Sequence, residues 1–245
     1  MTSAGDAPRT PSDGVVRLWR PGLVDYEAAL AWQHARVEAL AAGVEGESLA
    51  LLEHPPVYTL GARGNREHLL TTPDVLAARG ASVVPTDRGG DITFHGPGQL
   101  VAYPILDLRG RSLGAATYVR RLEAVIIETL DAFGIATARV EGRPGVWVDD
   151  AKIAAIGVRI SRGISRHGLA LNVSTDLAWF GQIVPCGIPD AEVTSMDRLL
   201  GGAPPMREVE GAMAAAFERA FGVRLVEAPE SLTDAPALEE VAHAG

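Results

Sequence analysis

The sequence predicts an α/β fold: a mixed, largely antiparallel sheet with flanking helices. Apolar segments of strand length alternate with amphipathic segments of helix length, but without a regular βαβ rhythm. From Gly145 onward, short β segments follow one another across tight turns, the pattern of an antiparallel meander. A chain of 245 residues, 47% hydrophobic, is long enough to bury one substantial core.

Val15 to Leu18 starts the domain as a strand. Asp25 to Ala42 has apolar positions at helical spacing, with Gln33 as a polar exception on the inner face, and ends at Gly43. Ser48 to Leu52 reads as a buried strand. Thr72 as N-cap, Pro73 at the first helical position and Gly80 past the end bound a short helix, and Ala81 to Val84 follows as a strand. Leu100 to Leu106 is another strand. A long helix is expected from Leu113 to Phe133, capped by Ser112 and stopped by Gly134. The meander comprises GVWV, a turn at Asp149 and Asp150, KIAAIGVRI, a Ser/Arg/Gly turn and LALNV. A final helix from Met206 to Phe221 and a strand from Val223 to Val226 complete a single domain over residues 15–228. Residues 1–14 and 229–245, rich in Pro, Ala and acid, are expected to be mobile tails.

Composition excludes several classes. One cysteine rules out an internal disulfide framework, and no His/Cys cluster has metal-ligand spacing, so neither metal nor cofactor is expected. A net charge of -9 argues against nucleic acid as a partner. No apolar run approaches the roughly 18 residues of a membrane span, and the N-terminus lacks a signal-like stretch, which points to the cytoplasm.

Of the 22 basic residues, only Lys152 is a lysine. A chain that otherwise uses arginine suggests chemistry at that position that a guanidinium cannot perform. Strict period-two alternation would put Lys152, Ala154, Ile156, Val158 and Ile160 on one face, and Ile153, Ala155, Gly157 and Arg159 on the other. Glycine within that strand leaves room for a ligand or for a second backbone. Gly168, Leu169 and Ala170 begin the partner strand beside the same space. Cys186 lies in the constrained turn Pro185-Cys186-Gly187. A lone cysteine can be a small buried hydrophobe, but a nearby ammonium would make it a thiolate at neutral pH. The segment Arg88 to Gln99 holds four glycines and a proline between apolar strands and could bring backbone N–H groups close to a ligand. It has neither Walker A nor dinucleotide spacing. His95 is open to two readings, a proton shuttle or a structural histidine that shapes the loop; His54 and His167 are equally ambiguous. Arg159, Arg162 and Arg166 form a basic turn that could dock an acidic carrier.

Taken together, RGGDITFHGPGQLVAYPILDL, GVWVDDAKIAAIGVRI, HGLALNVSTDL and IVPCGI resemble the octanoyltransferases of lipoate biosynthesis, over most of the chain from Val15 to Val226. The resemblance implies a fold similar to the biotin and lipoate protein ligase catalytic domain. It implies octanoyl (or lipoyl) transfer from acyl carrier protein to a lysine of lipoyl domains, those of 2-oxoacid dehydrogenase E2 subunits and of the glycine cleavage H protein. It also implies Cys186 as the acyl-thioester nucleophile, with Lys152 lowering the thiol's pKa. Substrate contacts are implied for Arg88, Gly89, Gly90, Asp91, Ile92, Thr93, Phe94 and His95, for Ala155, Ile156 and Gly157, and for Gly168, Leu169 and Ala170. Ala155 and Gly157 are expected to line the slot for the acyl chain. The alternatives are an ATP-dependent lipoate or biotin ligase, which needs no nucleophilic thiol, a catalytically inactive acyl- or lipoyl-domain-binding module, and a Cys/His hydrolase.

Overall fold

A computed structural model describes residues 14–184, 192–228 and Leu232. Apart from Gly14 and Leu232, both expected tails lie outside the described residues, and so does Cys186.

Among the described residues the main sheet has nine strands. Eight of them are β1 (Val15–Leu23), β2 (Glu47–Glu53), β6 (Gln99–Ile105), β7 (Ala138–Val140), β8 (Arg143–Val148), β9 (Ala151–Ser161), β10 (Ile164–Asn172) and β12 (Arg224–Glu227), lying side by side in the order β12-β1-β2-β6-β10-β9-β8-β7. The ninth, β11 (Glu192–Val193), pairs parallel to the start of β9. β1 is parallel to β2 and β12, and from β2 to β7 every pairing is antiparallel. The expected mixed sheet and meander are both present.

A second, three-stranded sheet holds β3 (Val57–Leu60) between β4 (Ser82–Pro85) and β5 (Ile92–His95). Period counting assigned Ile92–His95 to a loop and left β3 unassigned. Both are four-residue strands whose partners lie far away in sequence, so no local pattern reveals the pairing.

Helices cover both faces of the main sheet. α1 (Tyr26–Ala41) is capped by Asp25, whose side chain accepts from the N–H groups of Glu27 and Ala28, and packs Ala29, Trp32, Val37 and Leu40 against Trp19, Leu52, Val101, Tyr103 and Ala170. The polar exception Gln33 is fully buried because its Oε1 accepts the N–H of His167 at 2.8 Å. Leu232 adds to this layer. α3 (Ala115–Asp131) and α5 (Met206–Phe221) cover the opposite face with Tyr118, Leu122, Val125, Ile126, Met213 and Phe217. α3 begins at Gly114 without a side-chain cap; Ser112 is not its cap but sits in a left-handed turn at φ 53°. The short α2 (Pro73–Ala78) starts at Thr72 as expected, and α4 (Met196–Leu200) follows β11.

β6 and β10 approach more closely at Gly168 than side chains allow. A Cβ there would collide with the carbonyl oxygen of Ala102 and lie 2.8 Å from Pro104 Cδ. Gly168→Val should therefore destabilise the fold by ~3 kcal/mol, read as a lower urea midpoint at unchanged slope. Gly211, where a Cβ would meet nothing within 4 Å, serves as the control: Gly211→Ala should not destabilise, whereas Gly168→Ala should already do so.

Candidate active site

A cavity of about 500 Å³ opens on the α1 face of β9, β10 and β6, beneath the loop that joins β4 to β5. Its apolar floor includes Val101, Ala155 and Ala170; Tyr26, Tyr103 and His95 form a wall, and Arg63, His68, Arg143 and Lys152 supply polar groups. The volume falls within the range of small-molecule sites.

Backbone contact between the loop and β9 closes this space. Gly89 N–H donates to Val158 O at 2.9 Å, and a Cβ on Gly157 would lie 2.8 Å from Gly89 O. Gly157 thus admits the loop's backbone on the side where a Cβ would project, and the residue itself borders the cavity. Arg88 braces the loop from inside. Its guanidinium donates to Thr59 Oγ1 at 3.0 Å, to the carbonyls of Thr59 and Asp91 at 2.6 Å each and to that of Gly89 at 3.1 Å. Asp91 accepts the Asn65 N–H at 3.0 Å and bonds His68 through its other oxygen.

Lys152 reaches the cavity through a β-bulge. Val146 pairs with Ala154 but Trp147 with Lys152, so Ile153 is an extra residue in β9. Ile153 and Ala154 both enter the core under α3 and α5, and Lys152 shifts to the face of Ala155 and Gly157. Uninterrupted alternation had put it on the opposite face. The Lys152 Nζ lies 4.8 Å from the centre of the Trp147 ring, a favourable cation–π distance.

Of the expected contact residues, Arg88 to Thr93, His95, Ala155 to Gly157 and Gly168 to Ala170 all border the cavity. Phe94 does not. Its ring is fully buried in the small-sheet core, stacked on Trp179 at 5.4 Å, because β5 turns alternate side chains to opposite faces. Cys186 lies outside the described residues, but its described neighbours in sequence are tied to this wall. Val184 N–H donates to His68 O at 2.8 Å, and Val193 pairs with Lys152.

His54, His95 and His167 are buried and neutral. His54 Nδ1 must donate to Val24 O at 2.7 Å, so its Nε2 accepts the Tyr103 hydroxyl at 2.8 Å; burial pushes its pKa down to about 4. Burial, then the neighbouring His54 and Arg88, lowers His95 to about 3. Its Nδ1 bonds Gln99 Oε1 at 2.7 Å. His167 stands at φ 57°, with Nε2 2.9 Å from Asp87 Oδ1; burial lowers it to about 4 against the opposing pull of that carboxylate. Asp87 also pairs with Arg166 and, at 3.8 Å, with Arg159, while Arg162 pairs with Glu38. The basic turn is thus paired with acids of the same chain. Period counting missed Tyr26, Tyr103 and His68 on the wall; Tyr26, at the start of the first helix, was legible only as a core position.

The site is a partly open, largely apolar slot with one primary amine in its wall. The profile of the family described as lipoyl protein ligase A/B catalytic domain matches residues 25–218, and the chain belongs to this family. Within it, the chain is 48% identical to the octanoyltransferase of Acidobacterium capsulatum, over 89% of this chain and 96% of that one. It is 49% identical to the octanoyltransferase of Chloroflexus aggregans, over 86% and 97%. Relatives of that name make it an acyltransferase. Among solved structures, a lipoate-protein ligase A bound with ATP superposes with a TM-score of 0.72 at 16% identity, covering 89% of this chain and 90% of the other, which shows a shared fold. Among the described residues no helix is long and apolar enough to cross a membrane.

Burial of His54 and His95 sets a pH dependence of stability. Their folded pKa values lie below the unfolded value of about 6.5, so between about pH 6.5 and 4 the unfolded chain binds protons that the folded chain refuses. Stability is complete above about pH 6.5. It should fall by up to ~1.4 kcal/mol per pH unit for each histidine below that value. Urea titrations from pH 7 to 5 should show this slope, and His54→Gln should flatten it.

Proposed function

We propose that this acyltransferase moves an octanoyl group from acyl carrier protein to a lysine of lipoyl domains, with Cys186 carrying it as a thioester and Lys152 activating the thiol. The observation that carries the reading is the placement of the chain's one lysine in the cavity wall, where β11, which follows the Cys186 segment in sequence, pairs with it. Near-full-length likeness to proteins named octanoyltransferase supports the acyl group.

The chemistry balances without a nucleotide. The Cys186 thiolate attacks the donor's carbonyl carbon, a new C–S bond replaces the old one, and the carrier leaves as a thiol after taking up a proton. An acceptor lysine, as free amine, then attacks the same carbon, loses a proton and releases the Cys186 thiolate. One thioester replaces another in the first step, and the amide makes the second downhill. A compact ammonium beside the sulfur favours the thiolate, and the amine can also carry a proton between the two steps. The apolar floor of Val101, Ala155 and Ala170 suits a fatty chain. A ligase of the same fold would need ATP and no thiol.

Intact-mass spectrometry after incubation with octanoyl-carrier protein, without ATP, should show one added octanoyl group on the wild type and none on Cys186→Ser. Normal turnover by Cys186→Ser, or a requirement for ATP, would overturn the reading. Ala155 pairs with Ala170 across the floor, so Ala155→Leu should shift the preferred donor to shorter acyl chains, measured as kcat/KM over a chain-length series.

A further inference from the structure

Behind the cavity, buried polar groups form a line of hydrogen bonds whose directions are all determined. Gln99 Nε2 donates to the carbonyl of Phe94 at 3.2 Å and Asn172 Nδ2 to that of Thr194 at 3.0 Å. Main-chain carbonyls only accept, so both amides are oriented without ambiguity. Asn172 Oδ1 therefore accepts from Gln99 Nε2 at 2.9 Å, and Gln99 Oε1 accepts from His95 Nδ1 at 2.7 Å. His95 is thereby held as the Nδ1–H tautomer. At the far end Thr194 N–H donates to Lys152 O at 3.0 Å. Gln99, Asn172 and Thr194 are 2%, 4% and 4% exposed, so water cannot substitute for a lost member.

We propose that Asn172 and Gln99 are positioning residues of the acyl transfer: together they fix the tautomer of His95 at one wall and, through Thr194, hold the strand that pairs with Lys152 at the other. Asn172 makes the junction. It lies at the end of β10, one of the strands of the cavity floor, and its amide joins Gln99, at the start of β6, to the chain entering α4. An apolar residue in place of Asn172 could fill the same volume, but it would leave Thr194 O and one of the two N–H groups of Gln99 Nε2 buried and unmatched. The inference rests on the proposed role of Lys152, and its test separates the two.

Asn172→Asp keeps the shape and the acceptor but removes the donor to Thr194 O, setting two oxygens face to face. Protonating the new carboxyl restores that donor, and burial raises its pKa toward neutrality. The ratio of kcat in Asn172→Asp to kcat in wild type should therefore fall about tenfold near pH 8, equivalent to ~1.4 kcal/mol, and should recover as pH falls through the carboxyl's pKa, with donor KM little changed. Because the chain has one lysine, 13C-lysine labelling gives a single side-chain probe, and its Cε resonance should shift in Asn172→Asp and return in acid. Thr175→Val, which removes the bond from Thr175 Oγ1 to Gly98 O outside this line, should lower stability but leave a flat pH ratio and an unmoved lysine resonance. A kcat ratio for folded Asn172→Asp that is lowered equally at every pH, or an unmoved lysine resonance at pH 8, would overturn the positioning role. A shifted resonance with unimpaired turnover would instead remove Lys152 from the chemistry and, with it, the reading on which this inference rests.

Discussion

Contact between two backbones, the loop at Gly89 and strand β9 at Gly157, is the constraint on which the cavity depends. Two glycines face each other there, with no side chain from either to hold the backbones apart, and the N–H of Gly89 donates to the carbonyl of Val158. Arg88 stabilises the same contact from below, with its guanidinium donating to the carbonyls of Thr59, Gly89 and Asp91. A buried cation that donates to several carbonyls holds a loop more rigidly than hydrophobic packing would, since each bond has direction as well as strength. The small sheet is in this way locked onto the large one, and the slot between them is preformed.

Strand β9 organises the chemistry because a single inserted residue changes which way it faces. Beyond the bulge, Ala154 and Ile156 bury themselves under α3 and α5; before it, Lys152 turns toward Trp147 and the cavity. The amine approaches the slot from the sheet rather than from a loop, which gives it a rigid support. β11 then returns along the same edge, so the backbone of Lys152 is held from both sides, by Trp147 and by Val193.

Helices and the meander were legible in the sequence because their signals are local. Asp25, Thr72 and the helix-ending glycines act on their own neighbours, and the turns at Asp149 and Gly163 force adjacent strands to pair. Of the site, the glycine loop and the lone lysine were legible as chemistry, since neither residue type in that setting is what a surface or a core requires. The face occupied by Lys152 was not legible: alternation carries no mark of a bulge, which depends on the register with β8. The second sheet was hidden for the same reason, and Phe94 with it, because a strand read as a loop hides which side chains turn inward. Gln33 reads as a break in an apolar pattern; it is the partner of a backbone group contributed by a distant segment, as is Asn172, which no local pattern marks.

The central claim is that the amine which the bulge brings to the cavity wall governs the reactivity of the sole cysteine. It is tested most directly by the rate at which iodoacetamide alkylates Cys186 as a function of pH, in wild type and in Lys152→Ala. The account predicts a midpoint well below the ordinary thiol value of about 8.5 in wild type, and a return toward that value, with slow alkylation at neutral pH, once the ammonium is gone. Identical profiles for the two proteins would contradict it.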